Sequence, residues 1–209
     1  MMNQKNVFIV ELIVIKLKLY LKKLEDGVGG DLWIKMVEYI AEVDENDIVL
    51  SVRNKDELKE NRFRHRICLI IPKTENNKVI LSKRAKDKFP FPDVWTCGLG
   101  GKVRADESYE EAALREMEEE SGFKTNLKLV ATSKLDLDQE KAIAKIFTTE
   151  KEISLDVFNP DPREIQYFKE FTIEEVEDMI ENTPSQLAPT FLRHFLIFKE
   201  EFKKLHFTN

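Results

Sequence analysis

The chain is poor in cysteine, has no surplus of basic residues and contains no long uncharged run. Two cysteines, Cys68 and Cys97, occur in 209 residues, and their spacing matches neither a metal-ligand set nor a redox pair. Both are expected as reduced, buried and inert thiols of a cytoplasmic protein. With 33 basic against 39 acidic residues the net charge is −6. No broad positive field is available to a general nucleic-acid or anionic-membrane binder. The most apolar stretch, Val7 to Leu21, is interrupted by Glu11, Lys16 and Lys18. It falls short of the ~18 uncharged residues of a membrane span. It also lacks the basic start and small-residue cleavage site of a signal peptide. Three readings remain for it: an added strand or amphipathic helix, a membrane-surface segment, or a segment preceding a true start at Met36. No internal repeat or low-complexity linker divides the chain, and its length suits one full core. Residues 1–36 are therefore read as an extension and 37–209 as the domain.

The chain is organised around Gly101 to Phe123, GKVRADESYEEAALREMEEESGF. Its residue types predict a glycine-led loop, a short helix and a glycine stop. Ser108 is placed as the N-cap, with Glu111 three residues on as a capping box requires, and Gly122 stands where a helix ends in a left-handed residue. At about 100° per residue, Glu116, Glu119 and Glu120 share one face. Ala113, Leu114 and Met117 are expected on a neighbouring face buried against a sheet, with Glu111 and Glu118 turned to water. Three carboxylates at such spacing repel one another by a few tenths of a kcal/mol per pair, roughly. Arg115 offsets only part of that, whereas a divalent cation offsets far more. Hard oxygen donors on one rigid face suit Mg²⁺ or Mn²⁺, and Mg²⁺ is often shared between protein carboxylates and substrate phosphates. A run of glutamates is otherwise a solvated acidic face.

Upstream, Val37 to Val43 and Ile48 to Val52 are predicted as strands joined by a turn, and Lys55 to Asn61 as one helical turn. Ile67 to Ile71 suits a central strand ended by Pro72. Asn76-Asn77 marks a turn before a strand beginning at Val79. In LSKRAKDKFPFPDVW, four cations (Lys83, Arg84, Lys86 and Lys88) stand against one acid, Asp87. Such a cluster is either solvated or a docking site for phosphate oxygens, with Arg84 and Lys88 as the candidate contacts. Downstream, strands are predicted at Leu127 to Leu135, Ala142 to Thr149 and Glu164 to Phe171. A helix capped by Thr172 should span Ile173 to Ile180. A last helix, Pro189 to Leu205, sets Phe191, Phe195, Phe198, Phe202 and Leu205 in a stripe, read as internal packing or as a homodimer contact.

Gly101, Glu107, Arg115, Glu116, Glu119, Glu120 and Gly122, with apolar Met117 and Phe123, reproduce the 23-residue signature of the Nudix hydrolases. A chance match is on the order of one in a million. The resemblance implies an α/β (α+β) architecture, an αβα sandwich with a mixed central sheet and a loop–helix–loop catalytic motif. It also implies hydrolysis of a small-molecule diphosphate with Mg²⁺, or Mn²⁺, as cofactor. Carried over by position, Glu116, Glu119 and Glu120 resemble metal ligands, and Gly101 resembles the glycine whose carbonyl joins them. Glu107 and Arg115 resemble the residues that brace loop and helix. Proton transfer falls to Glu116 or to a later carboxylate, Glu164 or Glu140.

The hairpin EVDENDIVLSV, the pair His65-Arg66, LSKRAKDKFPFPDVWT and NPDPREIQYF are similar to the subgroup holding type 1 isopentenyl-diphosphate isomerases and their hydrolase-like relatives. Those isomerases place a catalytic cysteine five residues after the tryptophan and a metal-binding histidine two further on. From Trp95, those places hold Gly100 and Lys102. The isomerase reading therefore loses its thiol. His65 resembles a metal-binding histidine of the isomerases, but with its partner replaced it is expected to serve a hydrogen-bonding role. An isomerase-like enzyme and a non-catalytic diphosphate-binding module stand as the alternatives to a hydrolase.

Overall fold

A computed structural model describes residues 37–74, 78–88, 91–137 and 140–207, with side chains as far as 201. The Val7–Leu21 run, Met36 and the Asn76-Asn77 turn lie outside the described residues. So do the side chains of Phe202 and Leu205.

The first hairpin pairs β1 (Tyr39–Val43) with β2 (Val49–Asn54). Its turn is pinned by the Asp44 carboxylate, which accepts the N–H groups of Asn46 and Ile48 at 2.8 and 2.9 Å. A short 3₁₀ turn, Lys55–Lys59, is capped by Asn54. Then β3 (His65–Ile70) runs through the middle of the larger sheet, antiparallel to β1 and β6 (Leu99–Lys102) and parallel to β8 (Lys141–Thr149). The antiparallel edge strand β7 (Leu127–Asp136) completes it. A smaller sheet has the order β5-β4-β9, with β4 at Val79–Arg84, β5 at Trp95–Cys97 and β9 at Ile165–Phe171.

Among the described residues, three helices cover these sheets: α1 (Tyr109–Ser121), α2 (Ile173–Asn182) and α3 (Pro189–Phe207). On one face of the larger sheet, Cys68, Ile70, Ile143 and Phe147 pack against Ala112, Ala113 and Met117 of α1. On the other, Ile71 and Ile146 meet the smaller sheet and the Phe191, Phe195 and Phe198 rings of α3. Burial on both faces explains why β8 is almost uniformly apolar.

The expected strands and helices are found to within a few residues. Two elements escaped the sequence reading: β5 and β6 are short, glycine-flanked and too brief for an alternating pattern. Gly98 joins them as the chain passes from one sheet to the other. A side chain there would press on the carbonyls of Ile80 and Ile70 at 2.9 and 3.0 Å. One expectation is corrected. Leu114 is 47% exposed, because the buried arc of α1 is centred on Ala113 and Tyr109 rather than displaced toward position 114. The three first rings of the α3 stripe are spent in the chain's own core.

Phe195→Ala should therefore destabilise the fold by about 3–5 kcal/mol, while Leu114→Ala should change stability by less than about 0.5 kcal/mol. Urea unfolding of the two variants checks this contrast, and equal losses would contradict the assigned burial.

Candidate active site

The central helix forms where its sequence signals place it. Ser108 Oγ accepts the Glu111 N–H at 3.2 Å, and Glu111 Oε2 accepts the Ser108 N–H at 2.7 Å. Gly122, at φ 68°, ends the helix in the left-handed region. Tyr109, Ala112, Ala113, Met117 and Ser121 are buried. At about 100° per residue, Glu116 and Glu120 project from within that buried arc and Glu119 from its edge. Two of the three glutamates are thus on the packed side of the helix.

Strand β6 makes room for them. A side chain at Gly101 would collide with the Glu116 carboxylate, and the Gly100 N–H donates to Glu120 Oε2 at 3.0 Å. Arg115 locks this geometry. It donates through Nε and Nη2 to the two oxygens of Glu107 at 3.0 and 2.6 Å, and through Nη1 to Glu116 and Glu119 at 2.7 and 3.0 Å. Glu107 also accepts the Arg104 N–H at 2.7 Å. This is the loop-to-helix brace expected of Glu107 and Arg115.

The electrostatics follow from burial. Glu116 is pushed above the ordinary carboxylate range by desolvation, partly opposed by Arg115. Glu120 rises to about 8, first through burial and then through the neighbouring Glu116 charge; the Gly100 N–H, Lys88 and Arg84 oppose the shift.

Both carboxylates line a cavity of about 700 Å³. From the basic cluster, Arg84 and Lys88 reach this cavity, whereas Lys83 is turned to Asp93, donating to its carbonyl at 2.6 Å. Arg84 donates to the Phe91 carbonyl at 2.8 Å. Lys88 is ion-paired with Glu164, so that expected catalytic carboxylate is engaged by a cation. Glu140 lines the same cavity, with its carboxylate raised by burial and lowered by Lys102. Among the further lining residues that the sequence did not announce are Glu38, Lys55 and Lys102. Lys102 was noted only as the replacement of a histidine. Its place directly after Gly101 on a strand edge was the signal available. Its ammonium is pushed down by burial and held up by Glu140, Glu116 and Glu38.

The donors fit a hard divalent cation by charge and chemistry: two half-buried, mutually repelling carboxylates, a glycine gap beside one of them, and a third carboxylate at the rim. Among the described residues, no three acidic, histidine or cysteine groups already converge as a cage. Arg115 Nη1 is instead shared between Glu116 and Glu119. Because Glu120 is raised in the folded chain, the native state binds its proton more tightly than the unfolded one. Stability from this group is present at low pH and is lost as pH climbs from the unfolded carboxylate range toward about 8. Metal-free Glu120→Gln should then be more stable than the parent at pH 8–9, on the order of 1–3 kcal/mol, and gain nothing near pH 4. Mg²⁺ should stabilise the parent and not the variant. Thermal melts with chelator and with Mg²⁺ measure both, and pH-independent curves would contradict the burial of this carboxylate.

Comparison with known proteins agrees with this geometry. The family model described as the NUDIX domain matches residues 63–192. A prenyl-diphosphate phosphatase of Methanosarcina mazei is 30% identical over 170 residues, covering 80% of this chain and 99% of that protein. Among solved structures, a Deinococcus radiodurans protein superposes with a TM-score of 0.67 at 18% identity, over 76% of this chain and 98% of that one. A MutT protein of Methanosarcina mazei gives 0.57 at 21% identity, over 71% and 99%. At such identities these two likenesses speak for the fold alone. Fold, signature helix and family match converge: the chain belongs to the Nudix family and is a diphosphate hydrolase.

Proposed function

We propose that the chain is a Mg²⁺-dependent phosphatase of organyl diphosphates, with Mn²⁺ as a substitute ion. The observation that carries this reading is one cavity with two chemistries. Carboxylates Glu116 and Glu120 and cations Arg84, Lys88 and Lys102 line it, and so do apolar Leu69, Leu99, Ala188 and Phe191. The first group suits a diphosphate shared with a cation, the second an apolar organyl chain. The relative named as a prenyl-diphosphate phosphatase, matched over almost its whole length, supports the same substrate class.

Glu116, Glu119, Glu120 and the Gly101 carbonyl would hold a divalent ion, which would supply neutralising charge for phosphate oxygens and lower the pKa of a water. The chain's own groups do the rest. Arg84, Lys88 and Lys102 orient the diphosphate and stabilise charge that builds on it. Arg115 and Glu107 hold the helix and loop in register. Cys97 lines this cavity, but burial pushes its thiol up to about 12. It remains a neutral thiol and offers no thiolate for isomerase-type proton exchange.

The test is a phosphate-release screen over prenyl, nucleoside and sugar diphosphates with Mg²⁺. Release should be fastest from prenyl diphosphates. It should fall on the order of 100-fold or more in Glu119→Gln and Glu120→Gln. Conversion of substrate without phosphate release would point to an isomerase, and binding without conversion to a sensor module. Undiminished activity in both variants would remove the metal site from these residues.

A further inference from the structure

We infer that Glu140 takes the proton of the attacking water and that His65 is a positioning residue whose lone pair keeps that proton on Glu140. This rests on the hydrolase reading above and adds a second layer to the same site.

The strand pairing builds the contact. On β3, His65, Ile67 and Leu69 alternate onto one face, and Ile67 and Leu69 line the cavity. The parallel register sets His65 opposite Ala142 of β8, which brings Glu140, two residues earlier, against the imidazole. His65 is 2% exposed. Its Nδ1 lies 3.3 Å from the Phe63 carbonyl oxygen. A carbonyl only accepts, so Nδ1 carries the hydrogen and Nε2 is left as a bare lone pair. That Nε2 has no hydrogen-bond partner among the described residues and lies 3.7 Å from Glu140 Oε1.

An ionised carboxylate offers Nε2 only another acceptor, and no bond forms. A protonated carboxyl offers a hydroxyl, and a side-chain shift of about 1 Å brings it to hydrogen-bonding distance. The pair is therefore mismatched until a proton arrives and matched afterwards. The charged groups facing the pair are Lys102 on β6 and Glu140 itself. Burial and the Lys102 charge press His65 down to about 4, so the imidazole stays neutral through the working range. Burial raises Glu140 while Lys102 restrains it, which makes it more basic than an ordinary carboxylate. Glu164 lacks this setting, since Lys88 is already its partner.

In the step itself the water oxygen bonds to the terminal phosphorus and its proton passes to a Glu140 oxygen. The bond from phosphorus to the bridging oxygen breaks, and its electron pair stays on the departing organyl monophosphate. Inorganic phosphate is the second product. The proton rests in a Glu140 O–H···Nε2 His65 hydrogen bond before it returns to solvent.

The experiment has two arms on the full chain. In the first, kcat and KM for Mg²⁺-dependent phosphate release are followed against pH. Glu140→Gln should lose about 100-fold or more in kcat with little change in KM, and its acid limb should vanish. His65→Leu should move the acid limb down by about 1 pH unit and lower kcat about tenfold. His65→Gln, which sets an acceptor oxygen near the Nε2 place, should restore the limb. In the second arm, ¹⁵N spectra of the metal-free protein should show His65 as the neutral Nδ1–H tautomer from pH 5 to 9. Its Nε2 signal should shift as Glu140 titrates and stay at the low-pH position in Glu140→Gln. An active parent whose Glu140→Gln variant keeps kcat and limb overturns the base assignment. An unmoved limb in His65→Leu, no rescue by His65→Gln, or an Nε2–H tautomer overturns the role of His65. Should His65→Leu not fold, the glutamine variant and the spectra decide. Should the parent release no phosphate from any diphosphate, the hydrolase reading fails by itself, and the spectra still judge the shared proton.

Discussion

The structure turns on two glutamates that project from the packed side of a helix. Helices normally reserve that arc for apolar groups, because an ionised carboxylate removed from water loses solvation worth several kcal/mol, roughly. Here Glu116 and Glu120 stand one turn apart within it, and Glu120 is driven to about 8. Such a pair is eased by a proton, and Arg115 already donates to one of its members. On the reading proposed above, a divalent ion would compete with that proton at these two side chains.

Much of the surrounding fold serves to keep that pair from relaxing. The glutamates cannot swing toward solvent without breaking contacts made by backbone and by Arg115. Glycine at 101 admits the Glu116 carboxylate where a side chain would exclude it. The Gly100 N–H fixes the rotamer of Glu120. Arg115 is forked across Glu107, Glu116 and Glu119, so one guanidinium ties the loop to two helical turns. Its own charge is lowered by burial but raised more by those hydrogen bonds and carboxylates. The α1 helix, β6 and the intervening loop form one rigid unit, as a site that must place a reacting group to within a fraction of an ångström requires.

The legibility of this molecule from its sequence was uneven, for physical reasons. Helix α1 was readable to the residue, since its capping box and left-handed glycine are local devices with fixed spacing. Its buried arc was misjudged at Leu114, because the glutamates belong to that arc and a hydrophobicity pattern cannot count them. Strands β5 and β6 went unread because three or four residues with glycines carry no period. Arg84 and Lys88 could be singled out within the basic cluster, and the structure adds that Lys83 turns away to Asp93. Glu38, Lys55 and Lys102 come from three separate elements, and nothing local announces a group assembled by tertiary packing.

The two positions on β6 that separate this chain from the isomerases it resembles show how a shared scaffold changes its chemistry. An isomerase must add and remove protons on carbon, and a thiol at the place of Gly100 and a metal-binding imidazole at the place of Lys102 serve that end. Here the first position has no side chain and contributes a backbone N–H to Glu120. The second supplies an amine pushed down by burial and by Lys55 and held up by Glu140, Glu116 and Glu38. Neither position carries the thiol or the imidazole of the isomerases, since one has no side chain and the other is a lysine. Both suit a polyanion instead. The N–H keeps a proposed metal ligand oriented, and the ammonium draws phosphate oxygens toward it. With carbon chemistry removed from this strand, the only proton left to handle is that of water, and the carboxylate–imidazole pair beside Lys102 is built to receive it.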